Sequence, residues 1–168
     1  GGPGRRTARA VAPCSGGAFR ALTPAGAGAG QRLRDTLPRK ARERHLEKAA
    51  HLARAHGRKR MKLYMMVGVP DERDEDIDEL VEFAVGLSKI VPLSLGIAPF
   101  VSKRNTPLDG QPFAGIKTVD RRLKRLRKGV KGKVDLRATS ARWAWVEWML
   151  AQGGAAEGEA VLAAGKAG

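Results

Sequence analysis

The chain has 168 residues, with 32 lysines and arginines against 17 aspartates and glutamates, a formal net charge of +15. That length suffices for one domain with a core, and the single cysteine, Cys14, excludes an internal disulfide or a cysteine metal centre. Apolar runs fall short of a membrane span and the N-terminal stretch lacks the continuous apolar core of a signal peptide, so a cytoplasmic protein with no membrane partner is expected. The charge is uneven: basic over the first sixty residues, acidic from Asp71 to Glu82, and basic again from Lys117 to Lys133. A mixture of this kind suits an enzyme surface better than one dedicated nucleic-acid face.

In chain order, residues 1–17 are Gly, Pro, Ala and Arg without periodicity and read as a disordered segment. AFRALTP, 18–24, reads as a short strand, and GAGAG, 26–30, as a glycine-rich turn. A helix is expected over 39–56, with Leu46, Ala49, Ala50 and Ala53 as its apolar stripe and Gly57 as its C-terminal cap. MKLYMMV, 61–67, reads as a strand buried on both faces. A helix over 74–89 follows, with Ile77, Leu80, Val81 and Ala84 inward and an acidic first turn at its positive dipole end.

SLGIAPF, 94–100, is the next strand, followed by a long loop and a basic helix over 119–128 with Leu123 and Leu126 inward. KVDLRAT, 133–139, is a short strand, and SARWAWVEWMLAQGG carries a helix with Ser140 as N-cap and Gly153 as stop. Residues 154–168 are small and apolar and read as a flexible tail. Strands and helices alternate at βαβ spacing, which predicts an α/β fold with about four parallel strands. Four strands do not close an eight-stranded barrel, so the sheet is open or belongs to something larger.

The strand ending in Gly68-Val69-Pro70 raises a functional question. Ligands of α/β folds bind at the C-terminal edge of a parallel sheet, and a glycine lets a flat ring approach the main chain. The acidic turn that follows would repel a phosphate, so the pattern favours a neutral or cationic ligand part. The plainer alternative is a tight turn that starts a helix.

YMMVGVPDERDEDIDEL resembles the fifth-strand region of radical S-adenosylmethionine (radical SAM) enzymes. SLGIAPFVSKRNTPLDGQPF is similar to their sixth strand and its following loop, and LTPAGAGAGQRLRDTL to their fourth-strand segment. The resemblance runs over about 18–153 and is closest to bacterial members that often carry a cobalamin-binding domain. It implies the C-terminal half of the core, a partial (β/α) barrel with an open sheet edge and uncovered apolar strand faces.

In that family a [4Fe–4S] cluster held by a CxxxCxxC motif cleaves S-adenosylmethionine to a 5′-deoxyadenosyl radical. The motif is absent here, so the resemblance implies a fragment that holds no cluster and is inactive alone, with a missing N-terminal half as a partner. It places the adenine of SAM on Met66, Val67 and Gly68 and on Ala98, Pro99 and Phe100. It brings Arg32 and Arg34 toward the ribose and carboxylate of SAM, although these arginines also suit a solvated helix start. Ala25 stands where the family has a glutamate, and Asp71-Glu72-Arg73 stands for glycine–glutamate–threonine, which keeps Glu72 as a carboxylate.

Other features read more plainly. His45, His51 and His56 have no zinc spacing, and Trp145 and Trp148 are expected to pack on one face of the last helix. RRLKRLRKGVKGK, 121–133, has cations all round except at Leu123 and Leu126. It is the best candidate for RNA or another anionic partner, and a basic binding module without catalysis is the alternative function.

Overall fold

The computed structural model describes residues 21–22, 29–30, 32–33 and 43–167. Cys14, Ala25, Arg34 and the whole predicted N-terminal segment, 1–17, lie outside them. The elements in order are β1 (Ala21–Leu22), α1 (Glu43–Ala55), β2 (Arg60–Val67), α2 (Asp74–Ile90), β3 (Leu93–Pro99), α3 (Ile116–Val130), β4 (Asp135–Ala138), α4 (Ala141–Gln152) and α5 (Ala155–Ala167). All strand pairs are parallel, and the spatial order β1-β2-β3-β4 follows the chain. The α/β class and the alternation are as expected. β1 contributes two residues on the edge of three longer strands.

The helical stripe of α1 is the predicted one: Leu46, Ala49, Ala50 and Ala53 are buried. Small side chains there let the helix lie close to the sheet. The chain leaves α1 through Gly57 and Arg58, whose N–H groups donate to the carbonyls of Arg54 and Ala53 at 3.0 and 2.9 Å, a pattern that closes the last turn. α2 buries Ile77, Leu80, Phe83, Ala84 and Leu87. α3 buries Val119, Leu123, Leu126 and Val130. With Met61, Leu63, Met65 and Val67 of β2 and Leu93, Leu95 and Ile97 of β3, these side chains form the main core.

That core lies on one face of the sheet. β2 does not bury both faces, as its apolar run suggested. Burial alternates along it: Arg60, Lys62 and Tyr64 are exposed and Met66 is half-buried, while Met61, Leu63, Met65 and Val67 are buried. The apolar character of Tyr64 and Met66 disguised a period of two. The uncovered face was expected to be apolar. Among the described side chains it instead presents Lys62, Tyr64, Gly96, Ala98, Asp135 and Arg137, with Met66 as the large aliphatic one.

α4 begins at Ala141 with Ser140 in the N-cap position, and Ala141 and Ala144 are buried. Ser102, in the loop after β3, ties that loop to α4. Its hydroxyl donates to the Gln111 carbonyl at 2.9 Å and accepts from Trp148 Nε1 at 3.1 Å, while Gln152 Nε2 donates to the Ser102 carbonyl at 3.0 Å. The segment read as a flexible tail contains helix α5, with Val161 and Leu162 exposed. Its sequence, small and apolar apart from Glu157, Glu159 and Lys166, has no stripe to reveal it.

Adjacent positions on α3 separate core from surface. Leu123→Ala should lower unfolding stability by about 2–5 kcal/mol, because it opens a cavity in the core. Lys124→Ala, on the exposed side, should change it by no more than about 0.5 kcal/mol. Urea denaturation of the two variants checks both values.

Candidate functional site

The C-terminal edge of the sheet is where β2 turns into α2 and β3 into its long loop. β2 and β3 are in register, with Met66 beside Ala98 and Val67 beside Pro99. The strand ends are stapled one step further on, where the Phe100 N–H donates to the Val67 carbonyl at 2.8 Å. Val67 and Pro99 face the helices and are buried. Phe100 is buried in a second small cluster with Leu33 and Val69, against which Met66 and Leu108 pack. Ala98 is exposed on the open face.

Gly68 has φ +84°, a region that other residues adopt only with strain. A Cβ there would lie 3.3 Å from Cγ2 of Val119 and 3.4 Å from Cβ of Ala114. The missing side chain therefore faces the fold, so conformation and close packing account for this glycine without a ligand. Its N–H donates to Oε2 of Glu72 at 2.6 Å. The expected set is thus divided. Gly68 lines a cleft of about 240 Å³ with Glu72, Gln111, Phe113, Thr118 and Arg122, whereas Ala98 lines another of about 330 Å³ on the open face.

Arg32 is neither a free anion grip nor a purely solvated residue. Its Nη2 donates to Asp76 Oδ2 and to the Asp71 carbonyl, both at 2.8 Å. Asp76 Oδ2 also accepts from the Arg73 N–H at 2.7 Å. The acidic start of α2 thereby serves as an N-terminal cap and as the partner of Arg32.

Sequence reasoning missed the centre of this edge. Glu72 and Arg122, fifty positions apart, form a buried ion pair: Arg122 Nη1 lies 2.9 Å from Glu72 Oε2, and the side chains are 9% and 0% exposed. Arg122 Nη2 also donates to the Glu72 carbonyl, and its Nε lies 3.5 Å from Asp74 Oδ1. Glu72 Oε1 is buried and has no hydrogen-bond partner. A carboxylate four positions after a turn glycine is a signal for the local bond to Gly68. Nothing local marks which arginine of a basic helix will reach it.

The expectation of cations all round α3 is corrected here. Arg122 is buried, and the neighbouring arginines meet α2: Arg121 lies 3.2 Å from Asp74, and Arg125 grips both oxygens of Asp78 at 2.6 and 2.5 Å. That grip holds the Asp78 carboxyl below its ordinary range. Lys117, Lys124, Arg127, Lys128, Lys131 and Lys133 are exposed. His45 is half-buried, and His51 and His56 are exposed. Trp145 and Trp148 line a shared cleft with Phe113, as their spacing suggested. Among the described residues no group of three or more His, Cys, Asp or Glu is placed to hold a metal ion, and no helix is long and apolar enough to cross a membrane.

Comparison with known proteins adds one relative. The chain is 36% identical over 93 residues to an uncharacterized protein of Methanocaldococcus jannaschii, a match that covers 55% of this chain and 21% of that protein. The aligned stretch is thus about a fifth of the curated relative's length. No family model matches the sequence, and no solved structure matches it.

Burial raises the Glu72 carboxyl from 4.5 to about 7, and the neighbouring Asp76 adds to the rise, while the Gly68 N–H and Arg122 oppose it. The folded chain therefore keeps a proton that the unfolded chain has lost between these two values. The associated stability is complete below the unfolded value and is lost as pH rises through the folded one, by at most about 3 kcal/mol. Glu72→Gln should flatten the decline in melting temperature between about pH 5 and pH 8. Arg122→Met, which strands a buried carboxylate, should cost roughly 3–5 kcal/mol at the alkaline end and less at the acid end. Thermal melts across that range check both.

Proposed function

We propose that residues 18–153 are the C-terminal part of a radical SAM core, with the nucleoside edge of S-adenosylmethionine held at the ends of β2 and β3. The observation that carries this reading is a parallel sheet in chain order with its core on one face only. Such an arrangement suits a wall of a larger (β/α) barrel, whose uncovered face would line the interior. Two of the three motifs on which the resemblance rests fall on β2, α2, β3 and the loop after β3, while most of the third, 22–37, lies outside the described residues.

The residues present do not fit a [4Fe–4S] cluster: the sequence has one cysteine, and the described residues offer no alternative set of ligands. Catalysis would need that cluster from elsewhere. The part left to this chain is to bind and shield a flat ring. Ala98 offers a small exposed surface beside half-buried Met66. The Val67 carbonyl and the N–H groups of Gly68 and Phe100 are already bonded within the chain, so shape and apolar contact would dominate over hydrogen bonds from these groups.

A second reading keeps support from α3, whose exposed Lys117, Lys124, Arg127 and Lys128 continue into Lys131 and Lys133. This row would suit RNA or another polyanion, without base-specific contacts.

Ligand-observed NMR separates the two. S-adenosylhomocysteine should bind with a dissociation constant no tighter than about 1 mM, and Ala98→Trp should abolish the signal while Lys124→Ala with Lys128→Ala leaves it unchanged. The same lysine pair should weaken binding to a single-stranded RNA, which should also fall steeply with added salt. Nucleoside binding that survives Ala98→Trp and disappears with the lysines would overturn the first reading.

A further inference from the structure

The open face of the sheet carries an arrangement that the nucleoside edge does not use. Tyr64, Gly96 and Arg137 are neighbours in register across β2, β3 and β4. The row beside it is Lys62, Ser94 and Asp135. Gly96 has no side chain, and Tyr64 takes its place: a Cβ on Gly96 would lie 2.5 Å from Cδ1 and 2.6 Å from Cε1 of Tyr64. The ring thus lies across the backbone of β3, yet Tyr64 remains 52% exposed. It forms a flat, supported platform in the middle of the face.

The charge around the platform is of one dominant sign. Arg60, Lys62 and Arg137 stand on this face against Asp135. Asp135 is engaged several times over: by the Ser94 hydroxyl at 3.0 Å, Arg137 Nε at 3.5 Å and Arg60 Nη1 at 3.8 Å. Those contacts orient Arg137 from its Nε side, and its side chain stays 74% exposed. Two adjoining clefts, of about 330 and 60 Å³, share Tyr64, Gly96 and Arg137 as lining residues, and Lys62 lines the smaller one.

We propose that this face binds a planar anion, an aromatic or heteroaromatic ring bearing a carboxylate or phosphate. The ring stacks on Tyr64, and the guanidinium of Arg137 takes the anionic group with two parallel bonds. Lys62 supplies a second positive charge beside it. A neutral ring forgoes the ion pair, and a bare inorganic anion forgoes the stacking, so both parts of the ligand are needed for affinity. The site adjoins the nucleoside edge, because Ala98 lines the larger of the two clefts as well, but its contacts do not depend on the radical SAM reading. If that reading holds, the platform is where a substrate would lie, one row below Ala98.

Tyr64 is the only tyrosine in the sequence, so protein labelled solely at tyrosine reports on the platform with one set of ring resonances. Benzoate and phenyl phosphate should each shift those resonances saturably. Benzamide and inorganic phosphate should bind at least about tenfold more weakly. Arg137→Gln should weaken phenyl phosphate by at least about tenfold, and Lys128→Gln, on α3, should leave it unchanged. Gly96→Ala displaces the ring and should abolish stacking while circular dichroism shows the fold retained. Absence of a saturable shift, equal affinity for inorganic phosphate, or undiminished binding in Arg137→Gln or Gly96→Ala would each overturn the proposal. Ala98 borders the same cleft, so Arg137→Gln separates the two sites: it should weaken phenyl phosphate and leave S-adenosylhomocysteine binding unchanged, which makes failure of either site distinguishable from failure of the other.

Discussion

The buried pair of Glu72 and Arg122 is the contact around which the C-terminal edge of the sheet is organised. Glu72 lies in the β2–α2 turn, and Arg122 lies in the middle of α3. Through Oε2, which accepts from both the Gly68 N–H and Arg122, and through its own carbonyl, Glu72 connects the strand-end glycine to a helix that follows a different strand. Taking both charges out of water carries a desolvation cost that the attraction only partly offsets. The raised proton affinity of Glu72 expresses that cost. What the pair specifies is geometry: the left-handed turn at Gly68, the start of α2 and the angle at which α3 crosses α2 are coupled through one carboxyl group.

Outside this buried contact, α2 and α3 meet through exposed or half-exposed ion pairs. Asp74 and Asp78 face Arg121 and Arg125 along one seam. Pairs of this kind contribute little stability singly, but opposite charges matched along the seam favour one register of the two helices. They also remove part of the apparent excess of positive charge from any interaction surface. Among the described residues, positive charge remains on the outer row of α3 and, on the opposite side of the sheet, at Arg60, Lys62 and Arg137. These are two basic surfaces with different surroundings: a convex helical one and a flat one built on strands.

The two sides of the sheet also differ in kind. One is a conventional packed core of Leu, Ile, Met, Val and Ala, in which small residues on α1 permit close approach. The other has polar and small residues and one aromatic ring laid over a glycine. A parallel sheet with a face of this composition does not need a second hydrophobic layer to avoid exposing a large apolar patch. The sheet can stand open, and its polar face remains available for a ligand.

Much of the fold was legible in the residues themselves. Apolar spacing marked the inward faces of α1, α2 and α3, Gly57 marked the end of α1, and the alternation of strands with helices marked a parallel sheet, because all of these depend on burial direction repeated at short range. The same reasoning misjudged β2, where Tyr64 and Met66 look apolar although one lies exposed and the other half-buried, and it gave no sign of α5, which has no stripe. It also named strand-end residues as one site, whereas the pleat sends Val67 and Pro99 to the core and Ala98 to the open face. Which arginine meets Glu72, which aspartates occupy Arg121 and Arg125, and which glycine lies under Tyr64 were decided only by the tertiary structure. Those partners lie 32 to 50 positions apart in the chain, and local periodicity encodes the side a residue faces but not what waits there.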